Sequence, residues 1–263
     1  MQRLSGRAAS EATRALAARN GEGRYRRLGR SALWVSQAGF GSYRVDAAVA
    51  AHKEALRAAL QSGINLIDTS ANYADGGSER LIGEVLTEMV STGAVRRDEV
   101  VLISKVGYLQ NSNLRLRQER QQAGKDFPEV VPYAPTLEHC IHPDFLEEQL
   151  ELSLQRLQIS CLDGFLLHNP EYYLLWALQQ GGDAATARAE YVRRLRQAVS
   201  WLEKAVQQGR IAWYGVSSNT FPRPAGDPQR TPLDELWQAA SLAGGAGHHF
   251  GFIQFPCNLL EPA

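Results

Sequence analysis

The chain has 263 residues, 28 Lys plus Arg against 28 Asp plus Glu, 44% hydrophobic residues and three cysteines. That length suits one large domain with a well-buried core, and a net charge of zero excludes the electrostatic draw of a nucleic-acid or membrane-surface protein, leaving a small molecule as the expected partner. Cys140, Cys161 and Cys257 are odd in number and lack metal-type spacing, which points to reduced thiols and a cytoplasmic location, and no apolar run approaches the roughly 20 residues that span a bilayer.

In chain order, residues 1–24 are basic and Ala-rich without a signal-peptide core, and are expected to form a flexible extension or a short amphipathic helix, with an organellar transit peptide as the alternative. Residues 25–35, YRRLGRSALWV, suggest a β-hairpin around a Gly-Arg-Ser turn. Gly39 and Gly41 flank Phe40 at a strand end, where glycine lets a neighbour or a ligand approach the backbone closely. A helix fits residues 52–61, with Leu56 and Leu60 on one face and Gly63 as its stop. INLIDTSANY, residues 64–73, combines a buried strand with Asp68 where the apolar run ends and Tyr73 five residues later. Taken alone, a capped turn and a packed ring would explain both side chains.

Residues 78–88 read as a helix with Ser78 as its N-cap. VVLISKVG, residues 100–107, is a buried strand in which Lys105 is out of place. Residues 108–140 are polar, hold three prolines and lack a clear period, so they read as a long excursion over the face bearing the site. A helix over 142–157 follows, then LDGFLLHNP at 162–170 with His168 just past an apolar run. Residues 172–189 read as an insertion and 191–208 as a long helix closed by Gly209. IAWYGVSSN, residues 211–219, is a strand ending in Ser217, Ser218 and Asn219. Thr231 opens a helix with Pro232 in its first turn, and 251–258 is the last strand.

Strands alternating with helices argue for βαβ units and a parallel sheet of six main strands. Asp68, Lys105, His168 and the Ser217/Asn219 pair recur at the C-terminal ends of four successive strands, which is how a barrel builds an active site. With FGSYRV, GINLIDTSANYADGGSERLIGEVL, VLISKV, LDGFLLHNP, GRIAWYGVSSN and FIQFPCNLLEP in this order, the sequence resembles the aldo-keto reductase family from about residue 25 to its end. The resemblance implies an α/β (β/α)8 TIM-barrel fold, with residues 25–263 as a barrel domain preceded by the N-terminal hairpin. It also implies hydride transfer from NADP(H), in preference to NAD(H), to a small-molecule aldehyde or ketone.

By that resemblance Tyr73 is the general acid, Lys105 and Asp68 tune it, and His168 orients the carbonyl. The chemistry suits these residue types. Hydride arriving at a carbonyl carbon leaves an alkoxide oxygen that must be stabilised or protonated. A phenol with a pKa of about 10 is a poor acid near neutrality, and a neighbouring ammonium lowers that value. The nicotinamide carboxamide would be held by Asn219, Ser218 by adjacency to it, and Gln254, with Gly41 also at the cofactor and Tyr214 or a nearby aromatic stacking on the ring. No metal is required, and His139, Cys140 and His142 lack a partner pair at zinc-like spacing. Arg193, Arg194 and Arg196 read as a solvated helix face.

The family's barrel needs eight strands and this sequence supplies six, so it is expected to be the N-terminal portion of a longer reductase. The alternatives are a non-catalytic regulatory or binding subunit that uses the 108–140 and 171–190 insertions, or an inactive fragment.

Overall fold

The computed structural model describes residues 3–259; Met1, Gln2 and Leu260 to Ala263, with the Leu-Glu-Pro end of the last motif, lie outside the described residues. Two compact units divide the chain, Met1–Lys105 with Gln149–Phe165 and Gln208–Trp213, and Val106–Glu148 with Leu166–Gln207 and Tyr214–Ala263.

In the first unit, helix α1 (Ser10–Asn20) buries Thr13 and Ala17 completely. Ahead of it Leu4 bridges Ile159 in parallel, and the Ala8 N–H donates to Asp163 Oδ1 at 2.6 Å. The composition that reads as a flexible extension therefore packs, because small side chains let the helix lie close while main-chain bonds hold the segment before it. Strands β1 (Tyr25–Arg27) and β2 (Trp34–Ser36) pair antiparallel across a short 3-10 turn.

Strand β3 (Phe40–Gly41), helix α2 (Ala50–Gln61), strand β4 (Leu66–Asp68), helix α3 (Gly77–Ser91) and strand β5 (Val101–Val106) follow. β3 and β5 flank β4 in parallel, with Gly41 opposite Asp68 and Asp68 opposite Ile103. All six residues of β5 are buried, the signature of a strand covered on both faces. Leu56, Ile67, Leu81, Ile82, Val101, Leu102, Leu154 and Leu157 make the core of this unit. A Cβ added at Gly83 of α3 would stand 2.5 Å from the Arg156 carbonyl oxygen, so only glycine permits that approach.

The second unit begins with β6 (Tyr108–Leu109), helix α4 (Ser112–Gln122), β7 (Val131–Ala134) and β8 (Leu137–His139). The three strands form an antiparallel sheet in the order β6-β8-β7. Residues 108–140 are thus a folded insertion rather than an irregular excursion. Strands of two to four residues are too short to show alternation, and α4, polar except for Leu114 and Leu116, is held by the Arg117–Asp126 and Arg120–Glu148 ion pairs.

Helix α5 (Pro143–Leu157), strand β9 (Leu162–His168), helices α6 (Tyr172–Gln179) and α7 (Ala184–Gln207), strand β10 (Ile211–Ser217), helix α8 (Leu233–Gly244) and strand β11 (Phe250–Gln254) complete the described chain. The segment 172–189 is therefore α6 and the first turn and more of α7. β10 and β11 pair in parallel, with a register shift between Tyr214 and Gly215. A Cβ at Gly215 would lie 2.0 Å from the Phe252 carbonyl oxygen, which fixes glycine at that irregularity. Among the described residues, β11-β10-β9-β5-β4-β3 is the hydrogen-bonded order of the one six-stranded sheet. No helix of the described residues is long and apolar enough to cross a membrane.

One buried acid ties the first unit together. Asp163, on β9, accepts from Arg97 at 2.9 Å and from the Leu102 N–H at 2.8 Å through Oδ2, and from the Ala8 N–H through Oδ1. Arg97 is 6% and Asp163 0% exposed.

Candidate active site

Asp68 closes β4 and Lys105 is the fifth residue of β5, whereas Tyr73 opens a short 3-10 turn beyond β4. Lys105 is 1% exposed. Its ammonium donates to Asp68 Oδ2 at 2.8 Å, to the Thr69 carbonyl at 3.0 Å and to the Tyr73 phenol oxygen at 3.1 Å. An ammonium has three N–H donors, and all three are matched here. The Asp68 carboxylate is the counter-ion of this buried ammonium. The Tyr73 phenol is thereby oriented by Lys105, whose N–H its oxygen accepts.

The backbone and rings around Tyr73 fix that orientation. Lys105 Nζ lies 4.8 Å from the Tyr73 ring centroid, and the Tyr43 ring meets Tyr73 edge-on at 5.2 Å while remaining 68% exposed. Ala74, Asp75 and Gly76 follow with φ of 48°, 51° and 77°, three successive left-handed residues. For each non-glycine this conformation costs roughly 1–2 kcal/mol. The turn is seated by Ser78, whose hydroxyl bonds Ser42 Oγ at 2.7 Å and Thr69 Oγ1 at 2.9 Å. Ser78 is therefore not the N-cap of α3: Gly76 occupies that position, since the left-handed turn delivers the helix two residues earlier than the sequence suggests.

In the second unit His168, the last residue of β9, is 9% exposed. Its ring meets the Tyr108 ring edge-on at 4.7 Å, and its main-chain carbonyl lies 2.7 Å from His139 Nε2. Asn169 adopts φ 49° and donates from Nδ2 to the Tyr108 hydroxyl at 2.6 Å. Glu171 is 1% exposed. Its Oε1 accepts the Asn219 N–H at 2.9 Å, and its buried Oε2 has no hydrogen-bond partner among the described residues.

Ser217 and Gln254 are register partners on β10 and β11, and the Ser218 N–H donates to the Gln254 carbonyl at 2.9 Å. The Ser218 hydroxyl lies inside the protein, 2.9 Å from Thr231 Oγ1 and 3.1 Å from Thr220 Oγ1. Thr231, expected to open α8, is held in this network, and α8 starts two residues later after Pro232. Asn219 is exposed and Gln254 half-buried. A Cβ at Gly41 would meet nothing within 4 Å, so no protein atom demands glycine there. Tyr214 does not offer its ring to a ligand: it is fully buried, and its hydroxyl donates to Glu203 Oε1 at 2.7 Å. Glu203 also accepts the His249 N–H at 2.7 Å and lies 3.0 Å from the His249 ring nitrogen Nδ1.

Burial raises Glu171 from 4.5 to about 7. A carboxyl that holds its proton more tightly when folded stabilises the fold below the unfolded value and loses that contribution as pH rises through the folded one. From 4.5 to about 7 the loss amounts to about 3 kcal/mol. Glu171→Gln keeps an acceptor for Asn219 and removes the ionisation. It is expected to flatten the fall in urea midpoint between about pH 5 and pH 8 and to be the more stable protein at the upper end; a parallel fall in both proteins would refute the assignment.

Tyr43, Glu171 and His139 escape the sequence reading of the site. An exposed tyrosine, a glutamate after a proline and a histidine in a polar stretch carry no periodic signal, and each gains its place only through the residue it packs on. His139 is 1% exposed and Cys140 is buried at the start of the chain's return to α5. All three cysteines are unpaired. Arg193 and Arg196 are exposed, as expected of a solvated helix face, and Arg193 and Arg194 pair there with Glu190 and Glu129.

Compared with known proteins, residues 38–223 match the family model described as Aldo/keto reductase family. Methylglyoxal reductase YeaE of Escherichia coli is 29% identical over 191 residues, 73% of this chain and 43% of its own length. An NAD(P)H-dependent D-xylose reductase of Scheffersomyces stipitis is 27% identical over 193 residues, 70% of this chain and 48% of its own. Among solved structures, a glycerol dehydrogenase of Gluconobacter oxydans superposes with a TM-score of 0.56 at 22% identity, covering 87% of this chain and 54% of that one. The likeness establishes an α/β fold of the TIM-barrel type. The chain spans about half the length of the curated relatives it matches.

Proposed function

The chain belongs to the aldo/keto reductase family, and from that membership we propose that it is an oxidoreductase that reduces a small aldehyde or ketone, with Tyr73 as the proton donor. The observation that carries the proposal is the Lys105 ammonium, buried and bonded at once to Asp68 and to the Tyr73 oxygen. A reduced nicotinamide would supply the hydride. Tyr73 holds the proton for the carbonyl oxygen. The Lys105 ammonium faces the oxygen on which negative charge is left, and Asp68 is its counter-ion. His168 would hold the carbonyl oxygen by a hydrogen bond from its imidazole.

The residues at the ends of β10 and β11 suit a carboxamide, which needs both donors and acceptors: Gln254 brings both in a side chain that is only half-buried, and it shares register with the Ser217 hydroxyl. With Ser218 engaged by Thr220 and Thr231, we assign the contacting serine to Ser217, beside Asn219 and Gln254. NADP(H) rather than NAD(H) is part of the proposal, supported by relatives named for NADP(+) or NADPH use.

The test is NADPH consumption by the purified protein against a panel of aldehydes and ketones, beside a fluorescence titration of NADPH. Carbonyl-dependent consumption is the expected result. Tight NADPH binding without turnover on any carbonyl would overturn the enzymatic reading in favour of a binding subunit.

A further inference from the structure

We propose that His139 and Tyr108, both delivered by the 108–140 insertion, form a clamp that positions His168. The inference rests on the role given to His168 above. Four observations within the second unit converge on it. His139 Nε2 lies 2.7 Å from the His168 carbonyl oxygen. A carbonyl only accepts, so Nε2 carries the hydrogen and donates it. The ring is 1% exposed, and its burial disfavours the charged form, leaving a neutral imidazole with its proton on that one nitrogen. Second, Tyr108 sets its ring edge-on against the His168 ring at 4.7 Å and against the His139 ring at 5.7 Å.

Third, the Tyr108 hydroxyl accepts from Asn169 Nδ2 at 2.6 Å, fixing the residue after His168 in its left-handed conformation. Fourth, Gly107 leaves room for the clamp to close. A Cβ there would stand 2.5 Å from His139 Nε2 and 2.7 Å from the His168 oxygen, and the Cys140 N–H donates to the Gly107 carbonyl at 2.8 Å, holding the two ends of the insertion together. The main chain on both sides of His168 and its ring are thus each restrained by the insertion. Tyr172 backs the clamp by stacking on His139 at 5.5 Å. His139 and Tyr108 are positioning residues: they act through His168.

Side-chain histidine NMR joined to kinetics on the purified protein tests this, with His168→Asn identifying the His168 imidazole signals. In His139→Leu those signals are expected to shift or broaden, and kcat with an aldehyde to fall about tenfold, the worth of one well-placed hydrogen bond, while NADPH affinity stays within about twofold. His139→Gln, which places an N–H near the same point, is expected to restore kcat to within about threefold. Tyr108→Phe removes only the hydroxyl and is expected to move the same signals, so it decides the matter if the leucine variant does not fold. Unmoved His168 signals in the folded variants would overturn the clamp. Absence of turnover in the parent would instead sink the proposed function, and the imidazole signals would still decide the clamp.

Discussion

Tyr73→Phe is expected to lower kcat for carbonyl reduction by roughly 100- to 10,000-fold, the range associated with a positioned general acid, with NADPH affinity unchanged. The substitution removes one oxygen and little else. Lys105 keeps Asp68 and the Thr69 carbonyl as acceptors, so its charge remains compensated. The ring keeps its edge contact with Tyr43 and its place near the ammonium. A fall in kcat and kcat/KM together would mark an interaction made in the transition state, whereas a rise in KM alone would mark ordinary substrate binding. Turnover within about twofold of the parent would remove Tyr73 from the chemistry.

The largest effect on stability is expected at Asp163, on the same strand as His168 and five residues ahead of it. Its two oxygens accept from Arg97 and from the main-chain N–H groups of Ala8 and Leu102. Asp163→Ala leaves a guanidinium that is 6% exposed without its counter-ion, and breaking such a buried pair from one side costs about 3–5 kcal/mol. The two N–H groups left unmatched add to that loss. Against a typical total of about 5–15 kcal/mol, the alanine protein should show a much lower urea midpoint. Asp163→Asn, which retains an acceptor oxygen, should lose less. A loss below about 1 kcal/mol in the alanine protein would show that the network relaxes or admits water.

Strands and the charged residues at their ends were legible because each buried strand is an apolar run that stops abruptly at a polar side chain: Asp68 after Leu66 and Ile67, His168 after Phe165, Leu166 and Leu167. Lys105 stood out because an ammonium inside a run such as VVLISKVG demands a counter-ion. Other features answer to partners remote in sequence. Asp163 breaks the run LDGFLLH just as conspicuously, yet nothing nearby indicates that Arg97 meets it. Ser218 looked like a ligand contact from its neighbour Asn219, whereas Thr231, thirteen residues on, takes its hydroxyl. Tyr214 looked available to a cofactor until Glu203 was found beneath it. The strands of the insertion are short enough that only their pairing defines them.

The three left-handed residues after Tyr73 set stability against turnover. Ala74→Gly or Asp75→Gly would relieve a conformation that disfavours side chains, and after the entropy glycine adds to the unfolded chain the gain should be on the order of 0.5–1 kcal/mol. A selection for heat resistance alone would therefore favour glycine here. The same change loosens the hinge that aims the phenol, so such variants should melt higher and turn over more slowly. Ala74 and Asp75 are thus positions where a thermostability screen and an activity screen should return opposite winners.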